Sequence, residues 1–141
     1  MIVDANLLVY GVDSTSPFHP RAKAWLEDAI NGPRRVAIPI QSVGAFLRLV
    51  THPRVVQNPL APHRAGEIVS RWMAAPGVWV PPTSRDTAAI LTGLVTDLHL
   101  SGNLIPDALL ASLAIEHGLT VFSNDSDFAR FPDCSWVNPL A

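Results

Sequence analysis

Short apolar segments alternate with longer stretches of helical periodicity along this 141-residue chain, and that alternation most constrains its fold. Ile2-Val3, Arg35 to Ile38, Val78-Trp79-Val80, Thr120 to Phe122 and Trp136-Val137 read as short strands, the last as an edge strand. Between the first two, Ala22, Trp25, Leu26 and Ile30 recur at the spacing of one helix face. Pro20 suits the first turn of that helix, and Gly32-Pro33 stops it. Val43, Phe46, Leu47 and Val50 mark a helix from Gln41 to Val50, broken at His52-Pro53. Further helices are predicted over Pro62 to Ala75, from Arg85 to about Leu98 behind a Ser84 cap, and over Pro106 to His117 with Gly118 as the terminator. Asn6 to Tyr10 opens either a helix or a loop, Ser101-Gly102-Asn103 reads as a loop, and Asp127 to Phe131 as one short helical turn. Strands that alternate with helices pair in parallel, because a parallel connection needs a long crossover. The predicted class is therefore α/β: a central, mostly parallel sheet flanked by helices, in a single domain spanning residues 1–141.

Four aspartates stand where this pattern passes from strand or loop into helix. Asp4 follows Met1-Ile2-Val3, Asp107 follows Pro106, and Asp125 and Asp127 follow Thr120-Val121-Phe122-Ser123. In an open α/β sheet, ligands bind beyond the carboxyl ends of the strands. Carboxylates gathered there, with no basic partner in the same motifs, point to a divalent metal, since unpaired like charges repel. Asp4 is costly to bury at an apolar strand end unless something pairs with it. A first-turn aspartate such as Asp107 is explained by the helix dipole alone, at about 0.3–1 kcal/mol. It shares a face with Leu110, Ala111 and Ala114, however, which turns it toward the sheet. Asp125 and Asp127 lie in a polar run that favours turns, with Asp125 nearer the strand end. Most other acids read as solvated or helix-terminal, and Glu116, nine positions beyond Asp107, falls on the opposite helix face.

Composition bounds the partners. Only 16% of residues are charged, below the usual quarter, so some apolar surface and a protein partner are expected. A net charge of −2 gives no global attraction for nucleic acid. The basic residues cluster locally, with Arg48, His52, Arg54, His63 and Arg64 in a stretch without acids between Asp28 and Glu67. Arg48 and Arg54 are candidates for contacts to a phosphate backbone, although a solvated face is the plainer reading of any single member. The single cysteine, Cys134, forms no intrachain disulfide. No apolar run approaches the length of a membrane span, and the start of the chain reads as core strand, so an untargeted cytoplasmic protein is expected. No nucleophile elbow, phosphate-cradling glycine loop or histidine metal spacing is present.

Met1-Ile-Val-Asp-Ala-Asn-Leu-Leu-Val-Tyr10, Pro106-Asp-Ala-Leu-Leu-Ala-Ser-Leu-Ala-Ile-Glu-His-Gly118 and Ser123-Asn-Asp-Ser-Asp-Phe128 resemble the opening, central and closing acidic motifs of PIN-domain nucleases. Ala45-Phe-Leu-Arg-Leu-Val-Thr-His-Pro-Arg-Val55 and Trp136-Val-Asn-Pro-Leu140 resemble the actinobacterial branch of the VapC-type toxins. The resemblance covers essentially the whole chain. It implies a PIN-like three-layer sandwich and an Mg²⁺- or Mn²⁺-dependent endoribonuclease. It also implies a toxin that cuts RNA, is blocked by a cognate antitoxin protein and forms a homodimer. By position, Asp4, Asp107 and Asp125 become metal ligands, Asp127 a fourth acid, and Asn6 and Ser123 supporting polar residues. One position departs from the family: its usual glutamate in the second core helix is Ala45 here, or Gly44 with a one-residue slip. A single ion held by three aspartates remains chemically reasonable, because Mg²⁺ keeps several waters. The rival readings are a PIN-fold module that binds antitoxin or RNA without turnover, and a phosphotransfer site with Asp4 as nucleophile. The latter lacks a second aspartate in its motif.

Overall fold

The computed structural model describes residues 1–141. Five strands, β1 (Ile2–Val3), β2 (Val36–Ala37), β3 (Val78–Trp79), β4 (Val121–Phe122) and β5 (Trp136–Val137), lie in the order β3-β2-β1-β4-β5. Every pairing is parallel, so the mostly parallel sheet expected from the sequence is wholly so. The chain builds from β1 outward through β2 to β3, then returns to the other side of β1 for β4 and β5. The order thus reverses at β1, and the crevice where α/β sheets bind ligands opens between the carboxyl ends of β1 and β4.

Six α-helices connect these strands: α1 (Ala5–Val12), α2 (His19–Asn31), α3 (Ile40–Val50), α4 (Pro62–Ala74), α5 (Arg85–Leu98) and α6 (Leu104–His117). Alternation along each strand sends neighbours to opposite faces. Val3 and Val36 join Leu7, Leu8, Leu26, Phe46, Val50 and Trp72 in a core under α1 to α4. Ile2, Ala37 and Val121 join Leu110, Leu113, Phe128 and Phe131 in a second core under α6. Ala108, Ala111 and Ala114 are buried there and keep α6 slim enough to approach the sheet closely. Helix α5 packs outside, against α6. Helices, sheet and helices form the three layers expected.

Three local outcomes bear on the site. Residues 6–10, left open between helix and loop, lie within α1, whose N-cap is Asp4. Helix α6 starts at Leu104, two residues ahead of the predicted Pro106. Leu104 and Ile105 donate back to Ser101 and Gly102 carbonyls, and the proline ring is tolerated in a first turn that has no backbone bond to lose. Glu116 is not a solvated charge. Its carboxylate accepts from the Ser84 and Thr87 hydroxyls at the start of α5, and the opposite face of α6 is therefore an interhelical contact. These bonds hold its carboxyl below the usual range. No helix is long and apolar enough to cross a membrane.

Candidate active site

The last ladder bond between β1 and β4 runs from the Asp4 amide to the Phe122 carbonyl at 3.0 Å, which sets Asp4 beside Ser123. Ser123 is fully buried and uses all its hydrogen-bonding capacity. Its Oγ donates to Asp4 Oδ2 at 2.6 Å and accepts from Asn6 Nδ2 and the Asp125 amide, both at 3.0 Å. Asp4 Oδ1 accepts from the Ala5 amide at 2.7 Å, closing the first turn of α1. Ser123 thus bonds to Asp4, to Asn6 and to the loop that bears Asp125. With both carboxylate oxygens engaged, Asp4 is poorly placed as a free nucleophile, which weighs against the phosphotransfer reading.

Asp125 caps a short 3-10 helix, Ser126–Arg130, its Oδ1 accepting from the Asp127 amide at 2.8 Å. Asp107 arrives from the first turn of α6. One carboxylate oxygen from each of Asp107, Asp125 and Asp127 lies within 4.8 Å of the others. The innermost triplet thus contains Asp127 rather than Asp4, which stands behind it through Ser123. Burial is the main cause that raises the Asp4 carboxyl above its ordinary pKa, with the Asp125 charge adding to it. Asp107 is pushed up to about 6, first by burial and then by the charges of Asp125, Asp4 and Asp127, while Arg130 acts against the rise. Both shifts arise first from burial, and the neighbouring carboxylates add to them.

The expectation that these motifs lack a basic partner is corrected by Arg130, whose guanidinium donates to Asp127 Oδ1 at 2.9 Å. The short 3-10 helix brings residues three apart to one side. Three carboxylates still face a single guanidinium. Hard, anionic oxygens at this spacing suit a divalent cation.

Further polar residues brace this arrangement and were not read as such from the sequence. Trp136 Nε1 donates to the Ser123 carbonyl at 3.0 Å, and Asn138 Nδ2 donates to Asn124 Oδ1 at 3.1 Å. Their signal was indirect: β5, which carries Trp136, pairs with β4. Ser42 Oγ donates to the Val3 carbonyl at 2.8 Å and pins the start of α3 next to Asp4. No acid comes from α3: Gly44 is exposed, Ala45 half-buried, and the buried Gln41 Nε2 has no partner. Arg48 and Arg54 are exposed, and neither takes part in an ion pair. Arg48 sits about 12 Å down the α3 axis from its first residue. A cavity of about 630 Å³ lies between α1, α2 and α4 and is lined by none of the four aspartates.

The profile of the PIN domain matches residues 1–133. The chain belongs to the PIN-domain family. Within it, this PIN domain is similar to proteins named VapC. It is 42% identical to ribonuclease VapC37 of Mycobacterium tuberculosis over 141 residues, covering 99% of this chain and 97% of the relative. To ribonuclease VapC33 of the same species it is 36% identical, covering 99% and 98%. Among solved structures, VapBC2 from Rickettsia felis, crystallised with a promoter DNA fragment, superposes with a TM-score of 0.72 at 18% identity, over 97% of this chain and 96% of that one. VapC20 of M. tuberculosis, described as a sarcin-ricin loop cleaving toxin, superposes at 0.66 and 18% identity, over 95% and 98%. These superpositions bear out the fold of the PIN domain, and the closer sequence relatives bear out its VapC character.

Proposed function

We propose that this PIN domain is a metal-dependent endoribonuclease and the toxin of a toxin–antitoxin pair. The observation that carries the proposal is the convergence of Asp107, Asp125 and Asp127 at the sheet's switch point, with Asp4 held behind them. The ribonuclease names of relatives matched over almost their full length agree with it. Asp107, Asp125 and Asp127 offer the oxygens that would hold Mg²⁺ or Mn²⁺, and Asp4 supplies a fourth charge beside them. A bound divalent cation would polarise the scissile phosphate and lower the pKa of an attacking water. With such an ion bound, Asp125 or Asp127 would accept the water's proton, and Ser123 and Asn6 would keep Asp4 and the Asp125 loop in register. Arg48 and Arg54, exposed and without acidic partners, are proposed as contacts to the RNA backbone beyond the cleavage point.

A cognate antitoxin is the proposed protein partner, because solved structures of similar fold include toxin–antitoxin complexes. A homodimer is proposed from the resemblance to VapC-type toxins; in α5, Leu91 and Leu94 already pack against the α6 core, and Ile90 is left half-exposed. The cytoplasm is the proposed compartment.

The rival reading, a PIN-fold module that binds without turnover, is favoured by one observation: α3 contributes no acid. Incubating purified protein with a mixed RNA pool in Mg²⁺, in Mn²⁺ and in EDTA separates the two. Cutting in metal that stops in EDTA is expected. RNA left intact in every ion would transfer the assignment to the binding module.

A further inference from the structure

Arg130 is the one basic side chain paired with an acid of the cluster. Its partner, Asp127, belongs to the triplet of convergent carboxylates. Both side chains remain open to solvent, at 43% and 42% exposure. Exposed ion pairs contribute about 0–1 kcal/mol, so this one exchanges readily for a better partner. Asp127 has only this side-chain donor, while its backbone amide is already engaged by Asp125. A divalent cation among the three carboxylates would compete with Arg130 for the Asp127 carboxylate. A guanidinium released at that rim is a planar, permanently charged fork that matches the oxygens of a phosphodiester.

We propose that Arg130 is a phosphate-contacting residue, parked on Asp127 in the ion-free protein and transferred to an RNA phosphate when Asp127 is taken up by a divalent cation. The inference rests on the nuclease reading and adds to it a specific residue and an order of events. Arg130 opposes cation entry and favours RNA entry, so removing it has opposite effects on the two affinities. A guanidinium that merely tied the 3-10 helix to itself would still shift Mn²⁺ affinity through its charge, but would leave RNA affinity unchanged.

The test uses the full chain with Arg130→Ala and Arg130→Lys. Mn²⁺ binding is measured by calorimetric titration without RNA, and binding of a fluorescent single-stranded RNA by anisotropy, in Ca²⁺ and in EDTA. For Arg130→Ala, Mn²⁺ is expected to bind about threefold tighter, since a competing positive charge is gone. RNA binding in Ca²⁺ is expected to weaken about tenfold, with much less change in EDTA. Arg130→Lys keeps the charge but loses the fork, so Mn²⁺ affinity stays near that of the parent while RNA binding falls between the two. Unchanged RNA affinity in Arg130→Ala, or Mn²⁺ binding that fails to tighten, would overturn the proposal. The parent protein separates this failure from the larger one: if it binds no Mn²⁺, the metal-centre reading itself falls, whatever the variants do.

Discussion

Asp107 is the residue at which charge and fold are most opposed. No side chain donates a hydrogen bond to it, and burial together with three neighbouring carboxylates raises its pKa to about 6. Because the folded value lies above the ordinary one of 3.8, its ionisation destabilises the ion-free protein. The associated stability is fully present below pH 3.8 and is lost as pH rises through about 6. Asp107→Asn removes that charge and should stabilise the protein at pH 7 in EDTA by on the order of 1 kcal/mol once solvent screening is allowed for, raising its melting temperature. Thermal unfolding by circular dichroism checks it, and a lower melting temperature would mean that the charge is satisfied. Metal binding demands the ionised carboxylate, so Mn²⁺ affinity should fall as pH drops below about 6. Calorimetry between pH 5 and 7 reads this directly, with proton uptake by buffer accompanying binding near pH 6. Gln41 presents the opposite kind of strain. Its Nε2 is buried without a partner, so Gln41→Leu should leave stability unchanged or raise it, as measured by urea denaturation.

At the scale of elements, the loop after β4 is organised around one hydroxyl. Ser123→Ala takes a donor from Asp4 and an acceptor from both Asn6 and the Asp125 amide. Leaving buried polar groups unpaired should cost about 1–3 kcal/mol, and metal affinity should fall with it. If urea denaturation and Mn²⁺ titration both match the parent, the Ser123 bonds do not organise the centre. The α5–α6 pair supplies a control far along α6 from Asp107. Ser84→Ala removes the α5 cap and one of the two donors to Glu116, and should destabilise by about 1 kcal/mol while Mn²⁺ affinity stays put. These elements also mark what the sequence disclosed. Strand and helix order could be read from periodicity, since β1 and β4 are short apolar runs and α2 and α3 carry clear stripes. The start of α6 could not, because Pro106 reads as a first residue when it lies inside the first turn. Nor could the Glu116 bridge to Ser84 and Thr87, which depends on how α5 and α6 meet rather than on either helix alone.

On the scale of the whole molecule, topology accounts for why residues separated by more than a hundred positions share one site. Reversal of strand order at β1 puts Asp4 next to Ser123, and the right-hand neighbour β4 delivers Asp125 and Asp127 to the same crevice. The four acids were legible because each follows a strand or begins a helix. Which three come closest was not, because that depends on Ser123 holding Asp4 and on the 3-10 helix bringing Asp127 beside Asp125. Arg130 escaped notice for the same reason, since its pairing needs that local turn. This acidic crevice is proposed as a divalent-cation centre for cutting RNA. The most direct measurement is RNA cleavage in Mn²⁺ by the parent and by Asp107→Asn, with Mn²⁺ binding titrated on the same samples. The account predicts that the parent binds Mn²⁺ and cuts, while the folded variant loses at least about a hundredfold in rate together with its Mn²⁺ affinity. A variant that still cuts at the parent's rate would contradict it.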